Sequence, residues 1–263
     1  MSRFFVHRLV TIFACLWTPA LFGVATAADF LLYDATAGNL PNQQPWLAYG
    51  AIGTASQSLV TGGVRLTTDT AAQAGWSNTL PIINTFKNPS FPALNSAEGF
   101  AIDWTMQMIA ETHVSNDRAG TSMILLGSDN KGIELGFWTD QVWAQTATPL
   151  FTKGESANFD TTATVNYRLL IFGDEYSLFA GSSRILTGQT RSYAAFGSAP
   201  YTLSNYFFLG DNTTSAAATV NVGSIALVTA VPETKLTGAL ILAASACVIA
   251  FGRRRRKTFD FAQ

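Results

Sequence analysis

Cysteine is almost absent, and the two that occur, Cys15 and Cys247, each sit in an apolar run near one end of the chain. The roughly two hundred residues between those runs have none, so they cannot form a disulfide framework and must be held by burial and hydrogen bonding. Histidine is as scarce: His113 is the single one in that stretch, which excludes a zinc site built from several histidines of one chain. Clustered positive charge is missing there too. Residues 29–230 carry eight cations against fifteen acids, a net charge of −7, although the whole chain is close to neutral. Dispersed cations on an acidic domain argue against nucleic acid and anionic lipid as partners, because both reward clustered Lys and Arg. A helical hydrophobic period is also lacking, and no G-x-S-x-G elbow or pair of carboxylates at short even spacing on one strand is present. Asp174 and Glu175 are adjacent and would face opposite sides of a strand.

What is present at the two ends is apolar. Arg3 and Arg8 precede an apolar run from Leu9 to Val24, which is followed by the small residues Ala25, Thr26, Ala27 and Ala28. This three-part order predicts a secretory signal peptide over residues 1–27, cut after Ala27, with Ala28 close behind as a second choice. At the other end, Leu236 to Gly252 is an apolar stretch of seventeen residues, just long enough to cross a bilayer as a helix. The cluster Arg253, Arg254, Arg255, Arg256 and Lys257 follows at once and places that end on the cytoplasmic side. The domain between, residues 28–230, is then extracytoplasmic.

Within that domain the clearest pattern is period-two alternation. Phe100, Ile102, Trp104, Met106 and Met108 alternate with Ala101, Asp103, Thr105 and Gln107, which predicts a strand with one buried face. Ile133, Leu135 and Phe137 predict a second such strand, and Val165, Tyr167, Leu169 and Ile171 a third. Further strands are expected at 58–60, 64–67, 123–126, 141–145, 176–179, 184–186, 207–210 and 219–228. Gly, Asn and Asp turns separate them, among them Asp129-Asn130-Lys131-Gly132, Gly173-Asp174, Gly181-Ser182-Ser183 and Asp211-Asn212. Many short strands with turn signals at close spacing predict an all-β antiparallel sandwich of jelly-roll type. Residues 29–95 fit as its opening strands and loops without detailed assignment.

Two resemblances follow from these residues. Val231-Pro232-Glu233, the apolar span and the basic cluster resemble the PEP-CTERM sorting domain of Gram-negative bacteria. That resemblance implies an exosortase-like membrane protease-transpeptidase as a partner, acting near the Pro-Glu motif, and an envelope that produces exopolysaccharide. Thr234 stands where the family usually has a second proline, and the tail runs on to Gln263. The order of strands and turns from Tyr167 to Leu186, taken with the strands at Gly99 to Ile102 and Phe207 to Asp211, resembles the concanavalin A-like or laminin G-like sandwich. It implies either a non-catalytic surface or matrix protein associated with extracellular polysaccharide, or an exported carbohydrate-active enzyme, a glycoside hydrolase or lyase, whose carboxylates converge from distant strands.

Candidate ligand contacts are few. Trp138 and Trp143 are expected on the face opposite Ile133, Leu135 and Phe137, where an exposed indole could stack on a sugar ring, or else in a second layer of core. Trp46, Trp76 and Trp104 read as core. Asp117, Asp129, Asn130, Asp211 and Asn212 on turns could give oxygens to calcium, the one cofactor the pattern allows, or could serve the turns alone. No catalytic residue is assigned, and His113 is expected at an exposed strand end.

Overall fold

A computed structural model of the chain describes residues 28–80, 85–86 and 89–230. The signal sequence with Ala25 and Ala27, the sorting motif Val231-Pro232-Glu233, the apolar span and the Arg253 to Lys257 cluster lie outside the described residues. Among the described residues no helix is long and apolar enough to cross a membrane.

The strands, in chain order, are β1 (Ala28–Tyr33), β2 (Ala48–Ile52), β3 (Ser56–Val60), β4 (Gly63–Thr67), β5 (Gln73–Ser77), β6 (Thr79–Leu80), β7 (Thr85–Phe86), β8 (Phe100–His113) and β9 (Ser122–Leu126). They continue with β10 (Gly132–Phe137), β11 (Gln141–Ala147), β12 (Leu150–Asn158), β13 (Val165–Phe172), β14 (Glu175–Ala180), β15 (Ser183–Gln189), β16 (Tyr206–Asp211) and β17 (Ala216–Thr229). All pairings are antiparallel, and they make two large sheets and the small β6–β7 hairpin. One sheet runs β15-β14-β13-β8-β17-β4-β3, with β1 also on β17, and the other runs β12-β11-β10-β9-β16-β5-β2. The protein is therefore an all-β antiparallel two-sheet sandwich.

The alternation read in the sequence decides which side chains meet between the sheets. Ile102, Trp104, Met106 and Met108 of β8 and Tyr167, Leu169 and Ile171 of β13 join Ile133, Leu135 and Phe137 of β10 in one buried core. The Trp104 ring stacks on Tyr167 at 5.1 Å between centroids and meets Phe137 edge-on at 6.1 Å, the offset and T-shaped arrangements that ring quadrupoles favour. Trp76 is fully buried and donates its indole N–H to Gln57 Oε1 at 2.9 Å, tying β5 of one sheet to β3 of the other. Two-residue turns close β13 on β14 and β14 on β15, with Gly173 and Gly181 at φ near +60° where a Cβ would be strained. Ala28 pairs with Thr229, so the first and last described strands lie side by side.

Several strands carry no alternation to read. β5 (Gln-Ala-Gly-Trp-Ser) is buried on both faces from Ala74 onward, and β12 is half-buried almost throughout at the edge of its sheet. β1 and β2 likewise lie in the opening stretch that the sequence leaves unassigned.

A cleft on the outer face of the seven-stranded sheet

The outward positions of the seven-stranded sheet are unusually small along one rung. From β2 to β11 that rung reads Gly50, Gly75, Gly210, Ser122, Gly136 and Trp143, one residue per strand. The consequence is that rings from neighbouring positions can lie flat on the backbone. A Cβ at Gly75 would come within 2.6 Å of the Phe208 ring, and one at Gly136 within 2.6 Å of the Trp143 ring, closer than real Cβ contacts allow. Both glycines are thus required by the aromatic ring laid over them.

The segment between β15 and β16 covers part of this face. Arg191 forms an antiparallel bridge with Gly132 and reaches Glu155 and the Gln145 carbonyl through its guanidinium. Beyond it, Tyr193 and Tyr201 bury themselves against Ile124, Leu126 and Tyr206 in a second apolar cluster. Phe151 and Phe196 add rings to it, 4.8 Å and 5.5 Å from Tyr201. What this segment leaves uncovered is a cleft of about 730 Å³. Gly50, Gly75, Ile124, Tyr206 and Phe208 line it from the sheet, Phe196 and Ser198 to Tyr201 from the covering segment, and Gln73, Asp211 and Asn212 add polar groups. Phe196 is 49% exposed, a large apolar ring left open on the covering segment.

A buried carboxylate stands behind the cleft. Glu134 of β10 is 2% exposed, and its two oxygens accept from the Tyr201 hydroxyl at 2.6 Å and from Asn212 Nδ2 at 2.8 Å. Asn212 Nδ2 also donates to the Tyr201 oxygen at 3.1 Å. Complete burial pushes the Glu134 carboxyl above the ordinary carboxylate range, against the opposing pull of these two donors. The Tyr193 hydroxyl accepts from the Glu134 backbone N–H and donates to the Gln145 carbonyl, so the covering segment is pinned at both tyrosines. Burial likewise pushes Asp211 up to about 7, although the Thr68 hydroxyl donates to it at 2.7 Å and the Thr213 N–H at 3.0 Å.

Of the residues singled out in the sequence, Asp211 and Asn212 line this cleft, whereas the two tryptophans, Asp117, Asp129 and Asn130 do not. Trp143 is fully buried over Gly136, and Trp138 is 7% exposed, its indole N–H donating to the Arg118 carbonyl at 2.8 Å. The His113 ring stacks on Trp138 at 4.1 Å, and the Lys153 ammonium lies 4.3 Å from the Trp138 ring centre. Neither indole offers a free face to a sugar; both form a small cluster with Ala119, the second layer of core that was the other expectation. His113 does end β8, but it is half-buried by that stack rather than exposed. Asp117 accepts from the Lys153 N–H and Asp129 from the Lys131 N–H, and Asn130 turns at φ +62°. Asp117, the Asp129-Asn130 turn and Asp211-Asn212 occupy separate places, and no three His, Cys, Asp or Glu side chains converge among the described residues. These residues serve turns and buried hydrogen bonds.

The sequence reading passed over the cleft itself. Tyr193, Phe196, Tyr201, Tyr206, Phe207 and Phe208 put six aromatics into sixteen residues, a density that could have drawn attention to this segment. Glu134 gives no such signal, because its burial depends on Tyr201, distant in sequence.

No family model matches the chain, and no curated protein matches it. Solved structures do. The chain is similar to a carbohydrate esterase from the Shiga toxin-encoding bacteriophage phi24B, with 13% identity, 77% of this chain and 99% of that chain covered, and a TM-score of 0.49. It is similar to the Crh5 transglycosylase in complex with NAG (14% identity, 80% and 86% covered, TM-score 0.46). A third is the Ca²⁺-bound exoplasmic/lumenal domain of VIP36, at 11% identity, 77% and 90% covered, and a TM-score of 0.45. At these identities the likeness is one of sandwich shape, and the site is read from its own geometry.

Proposed function

We propose that this domain is a non-catalytic glycan-binding module, exported and displayed on the cell surface or in the extracellular matrix, which holds polysaccharide in the cleft beside the Tyr193 to Tyr201 segment. The observation that carries the proposal is the lining: aromatic rings on the covering segment oppose a floor of glycine, Ile124 and the Tyr206 and Phe208 rings, with amide and hydroxyl groups close by. A sugar ring has an apolar face and a polar edge, and such a lining meets both at once. Support for a binding rather than a catalytic role comes from the two carboxyls nearest the cleft. Glu134 and Asp211 each have both oxygens engaged by donors of the fold itself. A general acid or nucleophile needs an oxygen directed at substrate.

Export and anchoring complete the proposal: residues 1–27 direct secretion, and Val231-Pro232-Glu233 with the apolar span and basic cluster is sorted by an exosortase-like protease. The test of the binding role is affinity electrophoresis of the full chain through gels containing polysaccharide, comparing wild type with Phe196→Ala. Loss of an exposed stacking ring should weaken retention about fivefold or more while thermal stability stays within a degree or two. Equal retention of both proteins would place any binding elsewhere.

A further inference from the structure

Charge and hydrogen-bond direction in the cleft point to the class of glycan it takes. Among the described residues no Lys, Arg or His lines it, and the one ionisable carboxyl of that lining is Asp211. Two of the cleft's side-chain donor groups, Asn212 and Tyr201, are drawn inward by Glu134. An Asn amide has two N–H donors and a Tyr hydroxyl one. Asn212 Nδ2 gives hydrogen bonds to Glu134 and to the Tyr201 oxygen, and the Tyr201 hydroxyl gives its hydrogen to Glu134. Ser77 donates to the Thr79 carbonyl, and Gln73 Nε2 donates to the Asn212 carbonyl. The side-chain oxygens of Asn212 and Gln73 remain as acceptors at this end of the cleft, while both Asp211 oxygens are already engaged by Thr68 and Thr213. Arg191, the cation of the covering segment, is engaged with Glu155.

We infer that the cleft selects uncharged, hydroxyl-rich glycans and rejects polyuronates and other polyanions, a specificity that rests on the glycan-binding role proposed above. Sugar hydroxyls can donate to the waiting oxygens. A carboxylate ligand would lose its water, meet the Asn212 and Gln73 oxygens, and find no cation to pair with among the described lining residues, which is the costly way to bury a charge. The domain's net charge of −7 adds a longer-range repulsion that salt screens.

The experiment uses the full chain in mild detergent, run through gels containing dextran, galactomannan or xyloglucan as neutral probes and polygalacturonate or alginate as polyuronates. Wild type, Phe196→Ala and Ser198→Arg are compared, the last adding a cation to the exposed wall. The expected result is retention by at least one neutral probe that Phe196→Ala weakens at least fivefold, polyuronate retention at least a hundredfold weaker, and a gain of polyuronate retention in Ser198→Arg. Polyuronate retention by wild type that equals the neutral arm and is lost in Phe196→Ala would overturn the inferred specificity and leave the glycan-binding role standing. Absence of wild-type retention by every probe would overturn the glycan-binding role, and the specificity with it.

Discussion

Asp211 offers the sharpest perturbation of the fold. Its side chain ends β16 and is 1% exposed, and burial raises its carboxyl from 3.8 to about 7. The folded chain therefore binds this proton more tightly than the unfolded chain does. Between those two values the native state holds more protons at this group, so the stability it contributes is fully present below about pH 4 and is lost as pH rises towards 7. At about 1.4 kcal/mol per unit, the three-unit shift corresponds to at most roughly 4 kcal/mol of destabilisation by the buried charge. Asp211→Asn carries no charge at any pH and keeps one oxygen to accept from Thr68 or Thr213. It should lose about 1 kcal/mol relative to wild type at pH 5, for the acceptor given up. By pH 8.5 the difference should have reversed, leaving the variant about 1–3 kcal/mol more stable. Glu134 titrates in both proteins and cancels in the comparison. Urea denaturation followed by tryptophan fluorescence from pH 5 to 9 measures the difference directly. A difference that does not change with pH would show that Asp211 is not a buried, proton-holding group.

Two further outcomes are expected. Trp143→Ala removes a fully buried ring that lies over Gly136, and should cost about 3–5 kcal/mol by thermal or urea unfolding, far more than an exposed sugar-stacking ring would. Replacing Pro232 and Glu233 by Ala should leave membrane insertion intact and block release. Full-length chain would then accumulate in the inner membrane, whereas mass spectrometry finding surface-released native protein with a C-terminus beyond Lys257 would mean that the tail is a permanent anchor.

The strands whose alternation is plainest in the sequence, β8 and β13, are buried on one face only. β8 and β13 alternate because their outer faces meet solvent, so Trp104 and Tyr167 were legible as core before any partner was known. β5 was hidden because Ala74, Gly75 and Trp76 are buried on both sides, and β12 because an edge strand half-covered throughout has no period. The two tryptophans chosen for sugar stacking were placed by alternation alone. What the pattern could not include was the glycine at position 136, across the ladder from Trp143, which lets the ring fold down and disappear. The cleft was illegible for a similar reason. Its floor includes Gly50 and Gly75, paired across the ladder from separate strands, and its wall is a loop pinned by the buried Glu134.

Hydrogen–deuterium exchange of the full chain, with and without a saturating neutral oligosaccharide, tests the central claim most directly. Binding in the cleft should slow exchange in peptides spanning Ser192 to Asn205 and β2, because both line the cleft and lie at its margins. The outer face of the other sheet, around the Asp103–Arg168 pair, should be unchanged. Protection confined to the Asp103–Arg168 face, with Ser192 to Asn205 exchanging as before, would contradict the assignment of the cleft as the glycan site.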